Sequence, residues 1–162
     1  MTAAKLKVKM SWENRGAWMI ATGFFAGYWP MGPGTLGTLV AIPLVWLAGG
    51  LPTVVQILFA AALFAVGVWA STRAVKILRK DDAPQIVIDE VVGFWVTMIG
   101  VPFNLYWGVC GFLLFRLFDI FKPFPISYLD EKVKGGWGVM LDDLAAGIFA
   151  NLVMHLMMRA SL

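Results

Sequence analysis

Charge is scarce in this chain. Only 14% of its 162 residues are charged, against roughly 25% in an ordinary soluble domain. Hydrophobic residues make up 60%, and the mean hydropathy is +0.78. A soluble domain of this size could not hide so much apolar surface, because small domains leave much of their surface in water. The same composition excludes a disordered chain. The net charge of +3 comes from a few basic clusters with no extended basic stripe, which excludes nucleic-acid binding. Cysteine and histidine are scarcer still, with one of each. A single Cys110 excludes an intramolecular disulfide and a cysteine zinc cage.

What is present is a strongly patterned distribution of charge. Residues 1–15 hold five charged side chains and residues 16–72 none. Residues 73–90 hold eight, 91–115 none, 116–143 nine and 144–158 none, and Arg159 follows. A membrane span needs roughly 20 apolar residues, and the charge-free blocks between charged islands meet that need. The apolar block does not stop after a short run with a small-residue cleavage site, so a cleavable signal peptide is not expected. The expected fold is all-α, a polytopic membrane helix bundle formed as a single integral-membrane domain over residues 1–162.

Basic clusters face the cytoplasm. Lys5, Lys7, Lys9 and Arg15 form the first, Arg73, Lys76, Arg79 and Lys80 the second, and Arg116, Lys122, Lys132 and Lys134 the third. The uncharged stretches 49–53 and 101–105, with Pro52 and Pro102, read as short outer turns. Parity then predicts five spans, at about 36–51, 54–72, 86–101, 105–118 and 139–158. Residues 17–29 are too short to span and end in a Pro/Gly-rich turn. They read as an interfacial or re-entrant segment, with Trp12, Trp18, Tyr28 and Trp29 suited to the headgroup layer. The alternative is one long kinked crossing over residues 17–48. Either way the C-terminus falls outside. Residues 121–138 read as a cytoplasmic loop.

On these spans the acidic residues come to one depth on the cytoplasmic side. Asp89 and Glu90 fall in the first turn of the third span, Asp119 at the end of the fourth, and Asp142 and Asp143 in the first turn of the fifth. Carboxylates within spans are costly and mark function. Five at one level would repel one another unless a cation sits among them. Oxygen ligands without cysteine or a second histidine suit Mg²⁺ or Mn²⁺. Helix capping is the competing explanation, worth about 0.3–1 kcal/mol per carboxylate. Two adjacent acidic pairs exceed what capping requires.

Two further features share that depth. In Met31-Gly32-Pro33-Gly34-Thr35-Leu36, glycine and proline make a turn, Thr35 is placed to N-cap the first span, and the amides that follow Gly34 form an anion site. Arg116, Asp119 and Lys122 are spaced three apart and share a helix face until Pro123 ends the helix. Together they predict a metal-plus-phosphate site. Asp119 either ligates metal or holds Arg116.

Two residues are decoys. Cys110 and Arg116 have the C-x5-R spacing of cysteine phosphatases, but five mostly large apolar residues continue a span between them and cannot curl around a phosphate. Cys110 is expected to fill space. His155 lies about three turns beyond Asp143, toward the far side, out of reach of the site. Phosphatases with a histidine nucleophile need a second histidine, which the chain lacks.

Four blocks occur in an order that resembles a known family. They are Pro33-Gly34-Thr35-Leu36-Gly37-Thr38, then Val87-Ile88-Asp89-Glu90-Val91-Val92-Gly93, then Phe115-Arg116-Leu117-Phe118-Asp119-Ile120-Phe121-Lys122-Pro123-Phe124-Pro125, then Gly135-Gly136-Trp137-Gly138-Val139-Met140-Leu141-Asp142-Asp143. The chain resembles phosphatidylglycerophosphatase A, a bacterial membrane enzyme family, over nearly its whole length after about residue 12. The resemblance implies a Mg²⁺-dependent phosphomonoesterase of phospholipid synthesis. Its substrate would be phosphatidylglycerol phosphate, and its active site would face the cytoplasm. Thr38 keeps the hydroxyl expected at its position. Asp89, Glu90, Asp142 and Asp143 would hold one or two Mg²⁺. Gly34, Thr35, Thr38, Arg116 and Lys122 would contact phosphate, with Asp119 completing the catalytic set. A carboxylate acts as base or forms an aspartyl-phosphate. The alternative from another class is a small cation transporter or channel, which would place its acids at the membrane midplane.

Overall fold

Proline, glycine and a few polar side chains set the helix ends in the apolar sequence. The computed structural model describes residues 11–81 and 83–160, so the basic residues Lys5, Lys7 and Lys9 lie outside the described residues. Among the described residues there are seven α-helices and no strand: α1 (Trp12–Ala21), α2 (Pro33–Ala48), α3 (Thr53–Leu78), α4 (Ile88–Thr97), α5 (Leu105–Phe121), α6 (Ile126–Lys132) and α7 (Gly135–Ala160). Ser11 caps α1 by accepting from the Asn14 amide, and Asn104 caps α5 by accepting from the Trp107 amide at 2.9 Å. Pro33 opens α2, and Pro52 immediately precedes α3.

Helices α3 and α7, at 26 residues each, are long and apolar enough to cross a membrane. At 1.5 Å per residue each reaches ~39 Å. Helices α2 (16 residues) and α5 (17 residues) are shorter than the roughly 20 residues of an ordinary span. The expected third span departs furthest. Its helix, α4, has ten residues and a length of ~15 Å. Every residue from Val91 to Thr97 is buried, and α4 packs against α2, α3, α5 and α7. It is a core helix enclosed by the others. The break after it has a local cause, since Gly100 adopts a φ of 70° and Pro102 follows.

A helix that ends inside a bundle leaves carbonyls without helical partners. Two side chains of α7 answer this, and Gln56 of α3 accepts from an amide just beyond. Asn151 Nδ2 donates to the Thr97 and Ile99 carbonyls, both at 2.9 Å. His155 Nε2 lies 3.0 Å from the Ile99 carbonyl. Gln56 Oε1 accepts from the Gly100 amide at 2.9 Å, and its Nε2 donates to the Leu51 carbonyl at 3.0 Å. His155 therefore serves the far end of α4, away from the carboxylates.

Residues 17–48 are not one helix. After α1 the Thr22 hydroxyl donates to the Trp18 carbonyl, and Gly23, Phe24 and Phe25 all take positive φ, which turns the chain. A 3₁₀ turn at Ala26–Tyr28 follows. Helix α1 lies along α3, where Glu13 pairs with Arg73 at 3.1 Å and the Arg73 guanidinium covers the Trp69 ring. The Val87 amide bonds to the Ala21 carbonyl at 2.8 Å, which fastens the end of α1 beside the start of α4.

Candidate active site

The first turn of α4, the start of α2, the end of α5 and the third turn of α7 converge on one cleft of about 480 Å³. Helix α7 begins at Gly135, four residues before the expected start of its span. Asp142 and Asp143 therefore lie well past the first turn, beyond the range in which a carboxylate stabilises the helix dipole. Capping does not account for them, and both are buried. Asp89 and Glu90 do lie in the first turn of α4, yet neither caps it.

Asp89, Glu90 and Asp143 each offer one carboxylate oxygen to a group whose members all lie within 4.8 Å of one another. Asp89 Oδ1, Glu90 Oε2, Asp142 Oδ1 and Asp143 Oδ2 are buried with no hydrogen-bond partner. An uncompensated buried ion costs several kcal/mol, and the close carboxylates of Asp89, Glu90 and Asp143 fit a hard divalent cation. Only oxygen ligands are offered, which matches Mg²⁺ or Mn²⁺.

The cations stand beside this group. Arg116 Nη1 donates to Asp119 Oδ2 at 2.6 Å, so Asp119 holds Arg116. Lys122 lies just past the end of α5 with a φ of 41°, which carries it off the face it was expected to share with Arg116. Its Nζ reaches Asp130 Oδ1 at 2.8 Å and Asp142 Oδ2 at 2.5 Å. Burial alone would lower the Lys122 pKa. The hydrogen bonds and charge of Asp130 and Asp142 outweigh that and hold it above the ordinary lysine value.

Gly34 brings α2 into the site. A Cβ on it would overlap Glu90 Oε1 and stand 3.1 Å from Arg116 Nη1. The two threonines are placed differently from expectation. Gly32, in the left-handed conformation, is the N-cap of α2, and no side chain caps the helix, so Thr35 is not the cap. Thr38 is buried, and its hydroxyl donates to the Gly34 carbonyl at 3.0 Å. Neither threonine borders the cleft, whereas Gly34, Asp89, Glu90, Arg116, Asp119, Lys122, Asp142 and Asp143 all do.

Asp81, Asp130, Glu131 and Lys134 also line the cleft and were not anticipated from sequence. The only signal for them was their place in polar loops. With them the lining carries eight carboxylates and three cations. An anionic ligand would be repelled from such a cleft unless metal ions offset the excess negative charge. Cys110 is a half-buried free thiol on α5 and is not part of the lining.

Comparison with known proteins places the chain in a family. The sequence profile of the family described as Phosphatidylglycerophosphatase A matches residues 19–158. The chain is 36% identical over 155 residues to the Phosphatidylglycerophosphatase A of Escherichia coli (strain K12), covering 94% of this chain and 87% of that protein. It is 37% identical over 137 residues to the protein of that name from Haemophilus influenzae, covering 83% and 84%. A Bacteroides thetaiotaomicron protein provisionally named as a phosphatidylinositol-3-phosphatase is 38% identical over 144 residues, covering 83% and 89%. No solved structure matches significantly. The chain belongs to the phosphatidylglycerophosphatase A family.

Proposed function

We propose that this chain hydrolyses the terminal phosphomonoester of phosphatidylglycerol phosphate to phosphatidylglycerol and inorganic phosphate, with Mg²⁺ as its cofactor. One observation carries the reading. Four buried carboxylate oxygens without partners face one cleft beside Arg116 and Lys122. The named relatives supply the lipid. Asp89, Glu90 and Asp143 would hold the ion, with Asp142 adjoining. A bound Mg²⁺ supplies charge neutralisation at the phosphoryl oxygens and a water of lowered pKa.

The chain's own residues bind and orient. Arg116 and Lys122 neutralise the equatorial phosphoryl oxygens, together with the amides of the first turn of α2 that lack helical partners. Asp119 keeps the Arg116 guanidinium in place. A carboxylate of the cluster takes a proton from the attacking water as its oxygen bonds to phosphorus. The bond from phosphorus to the glycerol oxygen breaks, and that oxygen takes up a proton.

In this reading the protein is multi-pass in the bacterial cytoplasmic membrane. The substrate's acyl chains remain in the bilayer, and the cleft opens on the cytoplasmic side. The concentration of Arg73, Lys76, Arg79 and Lys80 at the end of α3 supports that orientation. The enclosed α4, continued by residues 98–104, would complete the third traverse, because non-helical backbone is tolerated at membrane depth when protein buries it. Cation transport is not favoured, since the carboxylates gather at one end of the bundle beside phosphate-binding cations.

The test is phosphate release by purified protein from phosphatidylglycerol phosphate in mixed micelles, with phosphatidylinositol 3-phosphate as a second substrate. Release should require Mg²⁺, cease with EDTA, return on Mg²⁺ addition and favour phosphatidylglycerol phosphate. Full activity in excess EDTA would remove the metal from the mechanism. Preference for the inositol lipid would replace the substrate.

A further inference from the structure

The adjacent aspartates of α7 face different partners. Asp143 joins Asp89 and Glu90 in the group of mutually close carboxylate oxygens. Asp142 is not in that group, and its Oδ2 accepts from Lys122 Nζ at 2.5 Å. The same ammonium donates to Asp130 Oδ1 at 2.8 Å. Lys122 follows the last residue of α5, Asp130 is on α6 and Asp142 is on α7, so one ammonium ties three helices together at the cleft.

This arrangement has a chemical consequence. A lysine side chain is long and flexible, and on its own it samples many rotamers. Two carboxylates fix it and keep it charged. An ammonium has three donors, and two are taken here, which leaves one for a further acceptor. All three residues line the cleft. Pro123 prevents α5 from continuing, and the left-handed turn at Lys122 directs its side chain toward α6 and α7.

Resting on the phosphatase reading above, we infer that Asp130 and Asp142 are positioning residues for Lys122, whose remaining donor grips the substrate phosphate, while Asp143 serves the cation. The side chain of Asp130 is 46% exposed and that of Asp142 only 8%. Loss of Asp142 should therefore have the larger effect.

A double-mutant cycle tests this on the full chain in micelles. Asp130→Asn should raise KM for phosphatidylglycerol phosphate about threefold to fivefold, the scale of an exposed charge pair, with kcat unchanged. In a Lys122→Met background the same substitution should have no further effect. Mn²⁺ binding, followed by electron paramagnetic resonance without lipid, gives a readout independent of turnover. Asp143→Asn should weaken Mn²⁺ at least about tenfold, whereas Asp142→Asn and Asp130→Asn should leave it unchanged. The inference is overturned if Asp130→Asn acts equally with and without Lys122. It is also overturned if Asp142→Asn weakens Mn²⁺ as much as Asp143→Asn does. If wild-type protein released no phosphate from any lipid, the phosphatase reading itself would fail, and the Mn²⁺ measurements would still decide between the two aspartates.

Discussion

Replacing Gly34 by alanine separates the geometry of the site from the stability of the fold. A Cβ at this position overlaps Glu90 Oε1 and stands 3.1 Å from Arg116 Nη1. Both atoms end flexible side chains, so the backbone need not move. Glu90 must retreat by roughly 1 Å before ordinary van der Waals separation is restored. That retreat displaces it relative to Asp89 and Asp143, and Arg116 is crowded at the same time. A misplacement of about 1 Å at a reacting site can cost about 10²-fold in rate. Stability responds the other way. Gly34 is in the first turn of α2, where alanine favours the helix by up to about 1 kcal/mol. Gly34→Ala should therefore lose roughly 10²-fold in kcat/KM, with a Tm equal to or above that of wild type. Phosphate release and intrinsic-fluorescence melting in the same detergent measure the two effects. Wild-type turnover in a folded Gly34→Ala protein would refute the contact between α2 and Glu90, or any role for Glu90.

The remaining predictions concern single side chains. Asp89→Asn, Glu90→Gln and Asp143→Asn should each lose roughly 10²-fold or more in turnover, yet keep or raise metal-free Tm, because each removes a buried like charge. A lower metal-free Tm in all three would mean that the carboxylates are structural. Cys110→Ser should leave turnover nearly unchanged while Arg116→Ala is severe, and a dead but folded Cys110→Ser protein would favour a thiolate mechanism. Asn151→Leu strips the Thr97 carbonyl of its side-chain donor and leaves the Ile99 carbonyl to His155 alone. It should lower unfolding stability by about 1–3 kcal/mol, and unchanged denaturation in detergent would count against the clamp at the end of α4.

The parts of the site that were legible in the sequence owe this to contrast. A charge inside apolar sequence has few structural uses, so Asp89, Glu90, Arg116, Asp119, Asp142 and Asp143 stood out, and all of them border the cleft. Asp130 sits in a polar stretch where charge is the background. Only the packing of α6 on α7 brings it to Lys122. The threonines sit away from the cleft for a local reason. Pro-Gly-Thr permits a helix to begin at more than one residue. The left-handed Gly32 and the fixed φ of Pro33 start it early, so Thr38 lies a full turn inside and its hydroxyl bonds back to the Gly34 carbonyl.

Hydropathy could not show the break in α4. A block without charge from residue 91 to 115 reads as membrane-spanning whether it is helical throughout or interrupted, because composition records polarity and not backbone path. The interruption nevertheless shapes the site. A helix of ten residues can be surrounded by its neighbours, and its first turn then opens into the bundle rather than toward lipid. Close approach sets the spacing that follows. A Cβ on Gly147 would collide with the Gly93 backbone across the α4–α7 interface, and one on Gly93 would strike the Phe115 ring of α5 and stand 2.8 Å from the Asp143 carbonyl oxygen. Asp89 is one helical turn before Gly93 and so on the same face of α4. The glycine contact therefore draws the Asp89 carboxylate to the level of Asp143. At the other end of α4, Asn151 holds the chain to α7 through the Thr97 and Ile99 carbonyls. The register of the two helices is thus set at two heights, and the separation of the carboxylates follows from backbone packing before any cation binds.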